Sequence, residues 1–168
     1  MLRELHAELG IPEDYGRDRA KPEYKEAAKL VEVGPNLVGR MQRLTPATAQ
    51  AWAAMQAAAA EDGVTLLIVS GYRSIDYQAR LIRKKINAGQ SVSEILSVNA
   101  APGHSEHHTG RAVDIASPGS RPLTEEFEDS DAFRWLQANA STYGFSMSYP
   151  RENPAGFVYE PWHWARNA

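Results

Sequence analysis

The sequence predicts an α+β fold in which a small, mainly antiparallel sheet is flanked by helices. Three observations lead there. Segments with helical start and stop residues alternate with short apolar runs rich in β-branched residues. The intervals between them lack the regular rhythm of βαβ units. The chain, at 168 residues, suits one domain with a real core.

The single domain is expected to span residues 1–168, with residues 1–43 as an arm packed on a body at 44–164. The arm is the least patterned part. A short helix at the start gives way to punctuation by Pro12, Gly16, Pro22, Gly34 and Pro35, with a helical piece expected at 24–30. From Thr45 the signals sharpen. Thr45 is a good N-cap, Pro46 suits the first helical position, and an alanine-rich helix should run to about Asp62, where Gly63 stops it. Residues 64–69 are short, apolar and β-branched, and read as a buried strand. Ser74 can cap a helix over 75–87 that ends at Ala88-Gly89, and a shorter helix is expected over 92–98. Residues 111–115 alternate as a strand, with Ala112 and Asp114 on one face and Val113 and Ile115 on the other. Phe133, Leu136, Ala140 and Tyr143 form one apolar stripe on a helix over 131–143, closed by Gly144. The last strand is expected over 156–164.

Composition narrows the function classes. Apolar residues make up 43% and charged residues 23%, which argues against wholesale disorder. A net charge of −3 with no basic stripe offers no footprint for nucleic acid. There are no cysteines, so thiol nucleophiles, disulfides and thiolate metal sites are excluded, and any metal must be held by histidine and carboxylate. No stretch approaches the roughly 20 apolar residues that span a bilayer. The first eight residues mix charge with apolar side chains and lack the apolar run of a secretory signal. As written, the chain is therefore expected in the cytoplasm, or in the periplasm or outside the cell if a leader precedes it.

Four of the five histidines lie between residues 104 and 163, three of them in His104-Ser105-Glu106-His107-His108. Clustering alone is weak evidence, since a loop histidine is more often a solvated polar residue. Asp114 raises the odds, because an ionised carboxylate inside the apolar Arg-Ala-Val-Asp-Ile strand is costly unless it is paired or bound to a metal. A salt bridge to Arg73 or Arg111 is the plain alternative. Joining His107 to Asp114 in one site requires a chain reversal, which Thr109-Gly110 can supply. In Glu160-Pro161-Trp162-His163, regular strand geometry would point Glu160 and His163 to opposite faces, whereas a distortion at Pro161 would bring them together. Two histidines and one aspartate leave a fourth position for water, as in catalytic zinc sites, with a nearby non-ligating glutamate as general base. The same donors also suit iron(II) in an oxygenase, but those sites belong to double-sheet β folds rather than to a helix-rich chain.

Three motifs then carry a resemblance. The run from Ser105 to Asp114 resembles the S-E-H-x-x-G-x-A-x-D signature of D-alanyl-D-alanine carboxypeptidases, within the wider lysostaphin, D-Ala-D-Ala and hedgehog-type zinc group. Glu160-Pro161-Trp162-His163 is similar to the second signature, E-P-W-H. Ser70-Gly71-Tyr72-Arg73-Ser74, with Gln78, is similar to the third, S-G-Y-R-S-x-x-x-Q. All three occur in the family's order.

The resemblance implies a hedgehog/D,D-peptidase-like fold and a zinc-dependent D,D- or L,D-carboxypeptidase acting on peptidoglycan stem peptides or muropeptides that end in D-Ala. It implies His107, Asp114 and His163 as ligands of Zn2+ and Glu160 as the base. Arg73 would serve the oxyanion or a carboxylate, Gln78 and Ser105 would grip the terminal residue, and Trp162 would support the pocket wall. His104 and His108 fall outside the ligand pattern, and Glu106 favours carboxypeptidases over the related dipeptidases. Two other functions remain open: a non-catalytic binding module of the same fold, against which Glu160 argues, and an endopeptidase, which would need an open-ended cleft.

Overall fold

A computed structural model describes residues 1–17 and 20–168. Five α-helices and six strands follow in chain order: α1 (Leu2–Leu9), β1 (Val31–Pro35), β2 (Met41–Leu44), α2 (Pro46–Glu61), β3 (Leu67–Ser70), α3 (Ile75–Asn87), α4 (Val92–Val98), β4 (Ala112–Ala116), α5 (Asp131–Asn139), β5 (Phe145–Met147) and β6 (His163–Arg166). Short 3-10 turns cover Glu106–Thr109, Glu125–Asp129 and Ala140–Tyr143.

The helices begin where polar side chains can take up their free N–H groups. The Thr45 hydroxyl accepts from Thr48 N–H at the start of α2, and the Ser74 hydroxyl accepts from Tyr77 N–H at the start of α3. Ser91 and Glu94 form a reciprocal capping box on α4. β1 and β2 form an antiparallel hairpin, and a second sheet runs in the order β3-β4-β6-β5 with every pair antiparallel. β4 is central and buried along its whole length. Trp52 and Met55 of α2, Phe133 and Leu136 of α5, and Val113, Ile115 and Trp164 of the sheet make the main core. A smaller core beneath α1, α3 and α4 gathers Leu9, Ile82 and Ile95.

Three local expectations are corrected. Residues 24–30 form an extended strap, not a helix. Tyr24 N–H donates to the Gly103 carbonyl and Ala27 N–H to the His108 carbonyl, so these groups serve the histidine loop instead of a helical ladder. The strand expected at 64–69 begins only at Leu67. The strand expected over 156–164 shrinks to β6, because Asn153 organises a turn through Phe157 and because Pro161 interrupts the ladder.

The strap and the reversal after His107 meet at Gly110, whose φ of 67° suits glycine. A Cβ there would come within 3.0 Å of Thr45 Cγ2, 3.1 Å of Leu30 Cδ2 and 3.2 Å of Ala27 Cβ. Gly110→Ala should therefore destabilise the fold by about 1–3 kcal/mol, read as a lower midpoint in urea unfolding with an unchanged slope. An unchanged midpoint would contradict this packing.

Candidate metal centre and catalytic cleft

The sheet register builds the site. Asp114 lies at the middle of β4, and its direct partner across the β4–β6 ladder is His163. On the other side, Ser70 at the end of β3 is paired with Asp114. The chain that leaves β3 therefore delivers Gly71 and Arg73 to the same place. The Glu106–Thr109 turn brings in His107 from above. Its start is capped by the Ser105 hydroxyl, and Gly110 reverses the chain so that the following strand carries Asp114 back.

His107, Asp114 and His163 are all buried, and their donor atoms lie within 4.8 Å of one another. Asp114 Oδ1 is 3.2 Å from His107 Nε2 and 3.0 Å from His163 Nδ1. His107 supplies the test of whether a metal fits. Its Nδ1 lies 2.7 Å from the Gly71 carbonyl, and a carbonyl only accepts, so Nδ1 carries the proton and Nε2 presents a lone pair. That Nε2 is buried and lacks hydrogen-bond geometry to any described residue. An orphaned imidazole lone pair aimed at a carboxylate and a second imidazole fits a zinc ion, with a fourth position left for substrate or water.

The surroundings hold these donors in place. His163 Nε2 is 3.4 Å from Glu106 Oε2, and the same carboxylate oxygen accepts from the Ser148 hydroxyl at 2.8 Å. The ring of Tyr149 lies on that of His163 with centroids 4.8 Å apart. A carboxylate on the outer nitrogen of a ligating histidine fixes its orientation and raises its basicity. Burial pushes the His107 imidazole down to about 4, helped by the Arg73 guanidinium. Burial also acts against a charged His163, but the hydrogen bonds and charges of Asp114 and Glu106 outweigh it and push its pKa up to about 10. Burial disfavours the Asp114 carboxylate too, yet the hydrogen bond and positive charge of His163 hold it below the usual carboxylate range.

Glu160 stands beside this cluster without joining it. His163 N–H donates to the Glu160 carbonyl at 3.2 Å, a turn that places both side chains on one side, and Glu160 Oε2 is 3.8 Å from His163 Nδ1. Burial pushes the Glu160 carboxyl up to about 7. Arg73 approaches from the other flank, with its guanidinium 3.6 Å from Asp114 Oδ2 and 3.5 Å from Gln78 Oε1. The salt bridge and the metal-type cluster thus coexist on Asp114. Arg73, Gln78, Ser105, Tyr149, Phe157 and Glu160 line a tight recess of about 40 Å³.

Residues 41–166 match the VanY family, described as D-alanyl-D-alanine carboxypeptidase. The chain belongs to this family. It is 38% identical over 109 residues to YodJ of Bacillus subtilis, covering 63% of this chain and 40% of YodJ. It is 33% identical over 117 residues to a D-alanyl-D-alanine carboxypeptidase of Enterococcus faecalis, covering 64% of this chain and 42% of that protein. The matched part thus spans about two fifths of the length of these relatives. The fold is shared with the LdcB LD-carboxypeptidase, with a TM-score of 0.75, 32% identity, and 86% and 71% of the two chains covered. It is also shared with a VanY D,D-pentapeptidase variant in complex with Zn(II), with a TM-score of 0.62, 27% identity, and 82% and 78% covered.

Within this VanY-family domain the other motif residues fall in distinct places. Gln78 donates to the Ala100 carbonyl at 2.8 Å, which fixes its oxygen toward Arg73. Ser105 accepts from His107 N–H at 3.3 Å and faces the recess. Trp162 packs against the main core and lines a broader groove next to the recess rather than the recess itself. Both nitrogens of His108 are occupied: Nδ1 donates to the Arg73 carbonyl and Nε2 accepts from Gly103 N–H. His104 Nδ1 donates to the carbonyls of Lys21 and Pro22, just before the strap. Both are structural histidines. The positions of Glu106 and Tyr149 against His163 were not anticipated. The rule that a ligating histidine needs an outer partner would have flagged Glu106, whereas nothing local marks Tyr149.

Two outcomes follow. Zinc should be largely lost from His107→Ala and His163→Ala and kept by His108→Ala, while Glu106→Gln should weaken zinc binding by about 10- to 100-fold, all read by elemental analysis and competition with a chelator. Zinc retained by His107→Ala but lost from His108→Ala would move the site by one residue. Second, the hydrogen bonds and charges of Asp114 and Glu106 favour a protonated His163 in the metal-free protein, and that proton must leave before Nδ1 can ligate. Zinc affinity should therefore rise with pH. Calorimetry in buffers of different ionisation enthalpy should find about one proton released per zinc. A pH-independent affinity would contradict the assignment.

Proposed function

We propose that this domain is a zinc metallocarboxypeptidase that hydrolyses the C-terminal D-alanine from peptidoglycan-type peptides. The observation that carries the reading is a buried, non-ligating carboxylate, Glu160, next to a His-Asp-His set at the mouth of a recess with a guanidinium on its far flank. VanY-family membership supports the chemistry, and the relatives named above include LD- and D,D-enzymes that share this fold.

His107 Nε2, Asp114 and His163 Nδ1 would hold the ion, which when bound supplies Lewis acidity toward a carbonyl and toward water. The protein's own part is proton transfer and placement. Glu160, with a pKa raised toward neutrality by burial, takes a proton from the attacking water and delivers it to the leaving amine. Arg73 can stabilise negative charge on the carbonyl oxygen or grip a carboxylate, since its planar fork suits both. Gln78 and Ser105 line the recess where a small terminal residue would sit. The base must be ionised to act, so turnover should fall as pH drops through the Glu160 ionisation. Such a site acts on stem peptides or muropeptides ending in D-Ala.

Glu160→Gln should keep zinc while turnover falls by a factor on the order of 10² or more. Full zinc with near-normal turnover would remove Glu160 from the mechanism. A peptide ending in a free D-Ala should release that one residue, and its C-terminal amide should be cleaved roughly 10- to 150-fold more slowly, the worth of one charge-assisted hydrogen bond. Arg73→Ala should shrink that difference if Arg73 holds the carboxylate, and should lower both rates alike if it serves the oxyanion. Equal cleavage of acid and amide by the unaltered protein would mark an endopeptidase.

A further inference from the structure

Nine large apolar side chains are exposed among the described residues, and six of them line a single groove: Val38, Met41, Tyr77, Val98, Leu123 and Val158. Scattered apolar residues on a surface need no explanation, but a concentration of this kind marks a binding surface. The groove has a volume of about 820 Å³ and ends at Arg73, Asp114 and Glu160, so it is continuous with the catalytic cleft. The recess on the other side of Glu160 measures about 40 Å³. The contrast orients a peptide: a single small residue suits the recess, and the longer part of the chain suits the groove.

Outside the catalytic centre the charges lining the groove are mainly positive. Arg40, Arg43 and Lys85 stand against Glu125 alone, while Arg73, Asp114 and Glu160 belong to the centre itself. None of the first three forms an ion pair with a described residue, whereas Arg80, Arg83, Arg134 and Arg151 all do. Arg43 rests instead on the ring of Tyr72, 5.5 Å from its centroid. Val38 and Arg40 stand at the tip of the β1–β2 hairpin, before the start of the family match at residue 41.

We propose that this groove binds the portion of an acidic peptide N-terminal to the scissile bond. Its carboxylates would meet Arg40, Arg43 and Lys85, and its aliphatic stems would lie on the apolar wall. The hairpin tip then sets substrate preference in this chain. The proposal rests on the peptidase reading of the adjacent site, and its test is a binding measurement that does not need turnover.

The zinc-loaded Glu160→Gln protein is titrated calorimetrically with a synthetic pentapeptide carrying two glutamates before D-Ala-D-Ala, and with its glutamine counterpart. The glutamate peptide should bind about tenfold more tightly, since exposed ion pairs contribute only a few-fold each, and added salt should erode the difference. Adding Arg40→Gln, Arg43→Gln and Lys85→Gln together should abolish the preference, with a much smaller effect on the glutamine peptide than on the glutamate peptide. Equal binding of the two peptides, a preference that survives all three substitutions, or displacement of the peptide by a neutral amino-sugar oligosaccharide would overturn the proposal. Failure of the peptidase reading looks different: the unaltered zinc protein would cleave neither peptide, while the acid preference in binding would persist.

Discussion

A carboxylate buried in the middle of a sheet is the constraint on which the rest of this molecule depends. Asp114 lies on the central strand with 4% of its surface exposed, where an unpaired charge would be costly. Antiparallel register answers this by setting His163 directly across the ladder. The loop before β4 adds His107, and the turn after β3 adds Arg73. Each partner comes from a different segment, so the site forms only when strand pairing, loop reversal and strap are all in place. The concentration of positive charge and imidazole around one aspartate leaves His107 with a free lone pair, and a metal ion completes the set.

That arrangement also separates the two acidic roles by environment. Asp114 is held ionised by His163, whose Nδ1 is 3.0 Å away, whereas Glu160, 3.8 Å from the same nitrogen, is pushed toward neutrality by burial. Two carboxylates with pKa values driven apart is the pattern expected when one binds charge and the other moves protons. Glu106 takes a third role, orienting His163 from behind while Ser148 holds it.

How far all this could be read from the sequence varied with how local the physics was. The Ser74 cap and the Gly63 stop act within one turn, and the helices over 46–61, 75–87 and 92–98 were legible almost to the residue, whereas the helix expected over 131–143 ends at Asn139 and passes into a 3-10 turn before Gly144. β5, only three residues long, left no periodic signal. The β1–β2 hairpin is largely exposed and bulged between Glu32 and Gly34, so it shows no clean alternation. The strap at 24–30 looked helical because its hydrogen-bond partners, Gly103 and His108, are some 80 residues away in sequence. At the site, the motifs brought His107, Asp114 and His163 to notice, but the use of Tyr149 and the hairpin tip as walls depends on long-range packing that no local spacing encodes.

The most direct test of the account is anomalous diffraction at the zinc edge from crystals of the zinc-loaded protein. One strong peak is expected, bounded by His107 Nε2, an oxygen of Asp114 and His163 Nδ1, with Glu160 nearby but outside bonding distance. A peak that takes Glu160 as a ligand, or one at His104 or His108 with none among the three buried donors, would contradict it.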